Sequence, residues 1–297
     1  MAVNPVLLEL PDLASLKEQA EDLFLPNNPH ASLTGVGDKK SPFRSRGLDF
    51  QEVRVYQPGD DIRQIDWRVT AKYGKPFTKL YTEEKEQQIY LVTDLRPSMQ
   101  FASKGHFKSI IAGRLTALSA FMALKKKDKL AYILMGEKII SSLPETATDD
   151  LIPPLLHDLT EKTSTSSDLS FSEMLPILGR TLKTGASLIL FSDFHDITEK
   201  ELKFFGQLGA KNTITFIHLY DNMERHLPKA TLPYSDGKDT FILNTATESV
   251  QKAFQKSWQE QTDLVREAVR KYGFGYLALA TDSPYLTLFG QFCWGNQ

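Results

Sequence analysis

Apolar and polar positions along this chain follow two rhythms, and the change from one to the other divides it. Leu13, Leu16, Ala20 and Leu23 recur at helical spacing behind Pro11-Asp12, which predicts a surface helix. Residues 27–47 are rich in Pro, Gly, Ser and Lys and read as a loop. Alternation then takes over. Val53 and Val55 interleave with Arg54 and Tyr56, and Phe77, Lys79 and Tyr81 alternate with polar neighbours. Strands are expected there, around the turn signal Pro58-Gly59-Asp60-Asp61. An acidic patch at Glu83, Glu84 and Glu86 closes this β-rich stretch.

From Gln88 onward, short apolar runs alternate with helical periodicity. Strands are expected at Ile89–Thr93, Leu130–Met135, Lys138–Ser142, Ser187–Phe191, Thr213–Leu219 and Gly275–Ala280, with a hairpin ending in Thr240–Leu243. Helices are expected at Phe107–Lys127, Asp149–Lys162, Ser172–Lys183, Glu199–Leu208, Val250–Tyr272 and Tyr285–Phe292. Ile110, Ile111, Leu115, Leu118, Phe121 and Met122 mark the buried side of the first. Such alternation predicts an α/β fold, a mostly parallel Rossmann-type sheet with helices on both faces. The expected division is residues 1–86, an N-terminal helix with a small β-rich region, and residues 87–297, the α/β domain.

Composition narrows the function classes. The 297 residues are 41% hydrophobic and 24% charged, with a formal net charge of −2. A chain of that kind builds a full core, and it lacks the global basic field that would favour nucleic acid. The lone Cys293 excludes an internal disulfide and fits a reducing compartment. The stretch Val6–Leu10 is too short and too interrupted for a secretion signal, and no run of ~18 apolar residues is present to span a membrane. A cytoplasmic location is expected, with attachment to the periphery of the inner membrane only through partners.

Candidate chemistry gathers where the strands end. In an open α/β sheet, ligands sit beyond the carboxyl ends of the strands, near the switch in strand order. The first strand of the α/β domain delivers Thr93-Asp94-Leu95-Arg96-Pro97-Ser98-Met99, and a later one delivers Ser192-Asp193-Phe194-His195-Asp196. A hydroxyl-rich loop, Ser164-Thr165-Ser166-Ser167-Asp168-Leu169, lies between them in sequence. Carboxylates and hydroxyls are hard oxygen donors of the type that suits Mg²⁺ or Mn²⁺. Other signals fail. The Gly179–Gly185 stretch lacks the Gly-Lys-Ser/Thr ending of a phosphate loop, and the six histidines show no zinc spacing. His218 reads as a core residue within a strand. Lys125-Lys126-Lys127 reads as a solvated helix end.

The three loops, Asp94-x-Arg96-x-Ser98, Ser167 and Ser192-Asp193, resemble the metal-ion-dependent adhesion site of von Willebrand factor A domains. That resemblance implies Asp94, Ser98, Ser167 and Asp193 as metal ligands. Arg96 departs from it, standing where the family has a serine, and a guanidinium cannot ligate a metal. It either repels a divalent cation or replaces it as the positive charge facing Asp94 and Asp193.

Earlier in the chain, Gly47-Leu48-Asp49-Phe50-Gln51-Glu52-Val53-Arg54-Val55-Tyr56-Gln57-Pro58-Gly59-Asp60-Asp61-Ile62-Arg63-Gln64-Ile65-Asp66-Trp67 closely resembles the signature of the bacterial domain of unknown function 58 family. Asp221-x-x-Glu224, Leu227-Pro228 and Thr281-Asp282-Ser283-Pro284 continue that pattern. The resemblance implies a von Willebrand factor A-like domain. It also implies a MoxR-type AAA+ ATPase, and other von Willebrand factor A proteins, as partners.

Two functions compete on this reading. The preferred one is a non-enzymatic protein-binding adaptor, working with such an ATPase to assemble or remodel a client. It would dock an acidic or loop segment of a partner, with Arg96, His195, Arg63, Asp66 and Trp67 as partner-binding residues, although Arg54, Asp60, Asp61, Arg63 and Asp66 also read as a salt-bridge and hydrogen-bond network that fixes the turn and seats Trp67. The alternative is a metal-dependent hydrolase in which Asp94 and Asp193 hold the metal and His195 is the base.

Overall fold

The computed structural model describes residues 4–22, 49–57, 60, 62–82, 87–142, 148–161, 169–235 and 240–294. In chain order the helices are α1 (Leu10–Asp22), α2 (Trp67–Tyr73), α3 (Lys108–Lys125), α4 (Thr148–Thr160), α5 (Phe171–Thr181), α6 (Glu199–Gly209), α7 (Asn222–Arg225), α8 (Glu248–Tyr272) and α9 (Tyr285–Trp294). The strands are β1 (Asp49–Val55), β2 (Phe77–Thr82), β3 (Gln88–Asp94), β4 (Lys129–Met135), β5 (Ile139–Ser142), β6 (Ser187–Ser192), β7 (Thr213–Tyr220), β8 (Thr231–Ser235), β9 (Thr240–Asn244) and β10 (Gly275–Ala280).

Six strands form one sheet in the order β10-β7-β6-β3-β4-β5. All neighbours run parallel except β5, which pairs antiparallel with β4 at the edge. This is the mostly parallel α/β arrangement expected from the alternation. Each central strand is apolar on both faces and feeds two cores. On one face, Ile89 and Leu91 of β3 and Ile189 and Phe191 of β6 pack with α1, α3, α4 and α9. On the other, Tyr90 and Val92, and Leu188 and Leu190, pack with Phe171 and Met174 of α5, Phe205 of α6 and Val265 of α8. Alternate side chains of a strand point to opposite faces, so continuous apolar runs are what a doubly covered sheet requires.

The helix α3 departs from the one-sided burial expected of it. Sixteen of its eighteen residues are buried. Its inner side meets the sheet, and α1, α4 and α9 cover the rest. A helix apolar on nearly all sides is stable only when enclosed like this. The N-terminal α1 therefore belongs with the sheet: Leu13, Leu16 and Ala20 sit in its core. The expected grouping of residues 1–86 places that helix with the β-rich stretch. In the structure the two separate, and Arg44–Glu86 form a unit of their own.

In that small unit, β1 and β2 pair antiparallel with an irregularity between Phe50 and Glu52. The segment between them carries more structure than a turn. A 3₁₀ turn at Ile62–Gln64 leads into α2, which is capped by Asp66 accepting from the amides of Arg68 and Val69 and terminated by Gly74 in the left-handed conformation. Arg54 pairs with Asp60 at 2.6 Å across the start of this excursion. Seven residues give too little periodicity to betray α2 in the sequence.

Among the described residues, no helix is long and apolar enough to cross a membrane. The loop joining β3 to α3 is fastened at its far end to the tips of β7 and β10. Ser103 donates its amide and hydroxyl to Asp221 (2.8 and 2.7 Å), and Thr281 donates to the same carboxylate at 2.5 Å. Gly105 passes so close that a Cβ there would lie 2.3 Å from the Thr281 carbonyl oxygen, and its φ is +77°. A Gly105→Ala substitution is expected to destabilise the protein by more than about 2 kcal/mol, since the left-handed conformation alone costs a residue with a Cβ roughly 1–2 kcal/mol. Urea denaturation followed by circular dichroism measures this.

Candidate functional site

The strand order reverses between β3 and β6, because the chain leaves β3 for β4 on one side and later returns to β6 on the other. The carboxyl ends of these two strands therefore open the crevice where α/β sheets bind ligands. Asp94 ends β3, and Ser192 ends β6 with Asp193 next to it. Ser192 joins the two ends directly by donating its hydroxyl to Asp94 Oδ2 at 2.7 Å.

Arg96 occupies the centre of this crevice. It is only 4% exposed, and Asp94 is fully buried. Nε donates to Asp94 Oδ1 (3.0 Å) and Nη2 to Asp94 Oδ2 (2.8 Å), a two-point pair with that carboxylate. Nη1 and Nη2 form a second two-point pair with Asp196 Oδ2 (2.6 Å) and Oδ1 (2.8 Å). Nη1 also donates to the Leu169 carbonyl oxygen at 3.0 Å. These contacts use all five N–H donors of a guanidinium. Beneath the plane, Arg96 Cζ lies 4.7 Å from the centroid of the Phe171 ring. Burial works against the arginine's charge, but its bonds to Asp94 and Asp196 and their charges outweigh that and raise its pKa. Two-point charge-assisted pairs are the strong kind, and stripping one partner from a buried pair costs about 3–5 kcal/mol.

A second buried cation stands beside the first. Lys108, the first residue of α3, is fully buried, with Nζ 2.8 Å from Asp193 Oδ2 and 2.5 Å from Glu224 Oε1. Burial would depress the ammonium, but the charges of Asp193 and Glu224 raise its pKa instead. Burial likewise opposes the charge on Asp193, but the Lys108 ammonium, with the His195 backbone amide, holds its carboxyl below the usual range. Glu224 moves the other way. Burial pushes its pKa up, against the pull of Lys108.

The loop between Asp193 and Asp196 is turned by Phe194, whose φ of +54° is unusual for a bulky residue. Packing holds it there: the Phe194 ring is buried between Phe171 and Phe216, with His218 edge-on at 5.5 Å. His218 is a core residue, as its place in a strand suggested. Its Nδ1 lies 2.8 Å from the Tyr276 hydroxyl, and burial pulls its pKa down to about 4.

The structure thus brings Asp94, Arg96 and Asp193 together. Ser98 follows in a short 3₁₀ turn, and its Oγ is buried without a hydrogen-bond partner among the described residues. Ser167 lies outside the described residues. His195 points outward, with its side chain 63% exposed and Nδ1 3.6 Å from Asp196 Oδ1. Arg63, Asp66 and Trp67 belong to the separate Arg44–Glu86 unit. Sequence reasoning missed the roles of Lys108 and Asp196, and took Glu224 only as part of a pattern. One local signal for Lys108 exists: a lysine opening a helix opposes the helix dipole, so it needs a reason to be there.

These residues do not fit a divalent cation. Each aspartate expected to bind one is already matched to a resident cation, Asp94 to Arg96 and Asp193 to Lys108. Among the described residues, no group of three or more His, Cys, Asp or Glu side chains is arranged to hold a metal ion.

The buried imidazole has a measurable consequence. His218 has a folded pKa below its ordinary 6.5, so the folded state excludes a proton that the unfolded chain takes up. Its contribution to stability is complete above pH 6.5 and is lost as pH falls towards 4, amounting to roughly 3 kcal/mol over that window. His218→Gln is expected to flatten this part of the stability–pH curve, as read by urea denaturation between pH 7.5 and pH 4.5.

Comparison with other proteins follows from this architecture. The uncharacterized proteins Rv1480 of Mycobacterium tuberculosis and Mb1516 of Mycobacterium bovis are each 28% identical over 268 residues, covering 86% of this chain and 82% of theirs. Among solved structures, the chain is similar to the conserved hypothetical protein BatB from Bacteroides thetaiotaomicron, with a TM-score of 0.42 and 12% identity over 71% of this chain and 98% of that one. It is also similar to a von Willebrand factor type A protein from Catenulispora acidiphila, with a TM-score of 0.35 and 14% identity over 61% and 44%. Residues 52–263, well over half of the sequence, match the family described as Protein of unknown function DUF58, and the chain belongs to that family.

Proposed function

We propose that this chain is a protein-binding adaptor module rather than an enzyme, and that its docking face is the rim where β3 and β6 end. The supporting observation is the commitment of the rim's charges. A metal-dependent hydrolase would need Asp94 and Asp193 for its ion, but Arg96 and Lys108 hold them. The base in that reading, His195, faces solvent beside Asp196. A surface whose buried charges are satisfied internally suits recognition, because it presents a fixed shape and field to a partner.

The field at the rim is negative. Asp94, Asp193, Asp196 and Glu224 face two buried cations, and Asp196 and Glu224 are the partly exposed members. A basic segment is therefore the favoured occupant, where the sequence alone favoured an acidic or loop segment. The Arg44–Glu86 unit, taken by itself, has exposed apolar side chains. Trp67 is 67% exposed and Ile62 63%, and α2 buries none of its seven residues. Exposed tryptophan on a short capped helix is the kind of side chain that anchors protein interfaces. The family resemblance supplies the partner class, a MoxR-type AAA+ ATPase.

Binding of the purified chain to the MoxR-type ATPase of the same bacterium tests the reading. Wild type is expected to give saturable binding by biolayer interferometry. His195→Lys, which puts a fixed cation on the negative rim at an exposed side chain, is expected to weaken it about tenfold, equivalent to ~1.4 kcal/mol, with Tm unchanged. An unaltered Kd in that variant would remove the rim from the interface, and an absence of wild-type binding would remove the ATPase as partner.

A further inference from the structure

We propose that Arg96 permanently takes the place of a divalent cation in this crevice, so that the site carries its positive charge as part of the chain and needs no metal. The inference concerns the site's own composition and stands whether or not the rim docks a partner.

Geometry carries it. A metal at the end of β3 would draw on Asp94, yet both Asp94 oxygens receive a guanidinium N–H, and Oδ2 receives the Ser192 hydroxyl as well. Asp196, the next carboxylate in reach, is engaged at both oxygens by the same side chain. Asp193 gives Oδ2 to Lys108 and accepts the His195 amide on Oδ1 at 3.2 Å. Without those carboxylates, the expected ligand set retains only the hydroxyls of Ser98 and Ser167. Neutral hydroxyls are a poor set for Mg²⁺, which proteins bind through carboxylates.

Arg96 cannot easily step aside. Its plane rests on Phe171, and the Leu169 carbonyl fixes its far end. It cannot lose its proton in a protein either, so the positive charge persists at every working pH. A divalent ion entering beside it would meet a fixed like charge within a buried space. The Ser98 hydroxyl is buried and receives no hydrogen bond from the guanidinium or from any other described residue.

Isothermal titration calorimetry and thermal unfolding of the full chain, stripped with EDTA and then titrated with MnCl₂ or MgCl₂, test the proposal. Wild type is expected to show no saturable heat, and no Tm shift beyond that given by NaCl at equal ionic strength. Arg96→Ser, which frees Asp94 and Asp196, is expected to unfold several degrees lower in EDTA. It should recover part of that loss with Mn²⁺, and show one-to-one binding. Saturable one-to-one binding of Mn²⁺ or Mg²⁺ by wild type would overturn the proposal. A folded Arg96→Ser protein as indifferent to metal as wild type would overturn it as well. Should the serine variant fail to fold, the wild-type titration decides alone.

Discussion

Everything at the crevice depends on compensating a carboxylate that has been taken out of water. Asp94 ends the central strand of a doubly covered sheet and has no exposure, so its charge must be met inside the protein. Arg96 meets it from two residues away in the chain. A guanidinium presents five donors in a fixed plane, and this one spends the remainder on Asp196 and on the Leu169 carbonyl. One side chain thereby ties together the loop after β3, the loop after β6 and the segment entering α5. A lysine could supply the charge but not the plane.

The same solution recurs around the rim. Lys108 answers Asp193 and Glu224, while Asp221 is answered by hydroxyls and amides from Ser103, Thr281 and Met223. The tips of β3, β6, β7 and β10 are thus cross-linked through polar contacts beneath the surface. Lys108 sits at the end of α3 where the helix dipole disfavours a cation. Its ion pairs offset that penalty, and the apolar body of α3 is enclosed on all sides. The outcome is a rim whose shape is set by buried charge and by packing at once, well suited to presenting a constant face.

The Arg44–Glu86 unit uses a different chemistry. Its two strands and one short helix leave large apolar side chains, Ile62, Trp67 and Tyr73, in solvent. A charged rim contributes selectivity and encounter rate, while an aromatic anchor contributes affinity.

Apolar periodicity along the chain was enough to place the sheet strands, most helices and the crevice-forming loops, because burial on one or two faces imprints a repeat that is readable without coordinates. The convergence of Asp94 and Asp193 was legible for the same reason: both follow apolar runs that had to be neighbouring parallel strands. The short α2 left no such imprint, and neither did the full enclosure of α3, which depends on α1 arriving from outside the expected domain boundary. Side-chain direction was the larger gap. Arg96 read both as a partner-binding charge and as a replacement for a cation facing Asp94 and Asp193, whereas folding turned it inward between Asp94 and Asp196, a carboxylate the sequence did not single out and which lies more than a hundred positions from Asp94. Which cation neutralises which carboxylate depends on distances through space, and those exist only once the sheet has brought its strand ends together.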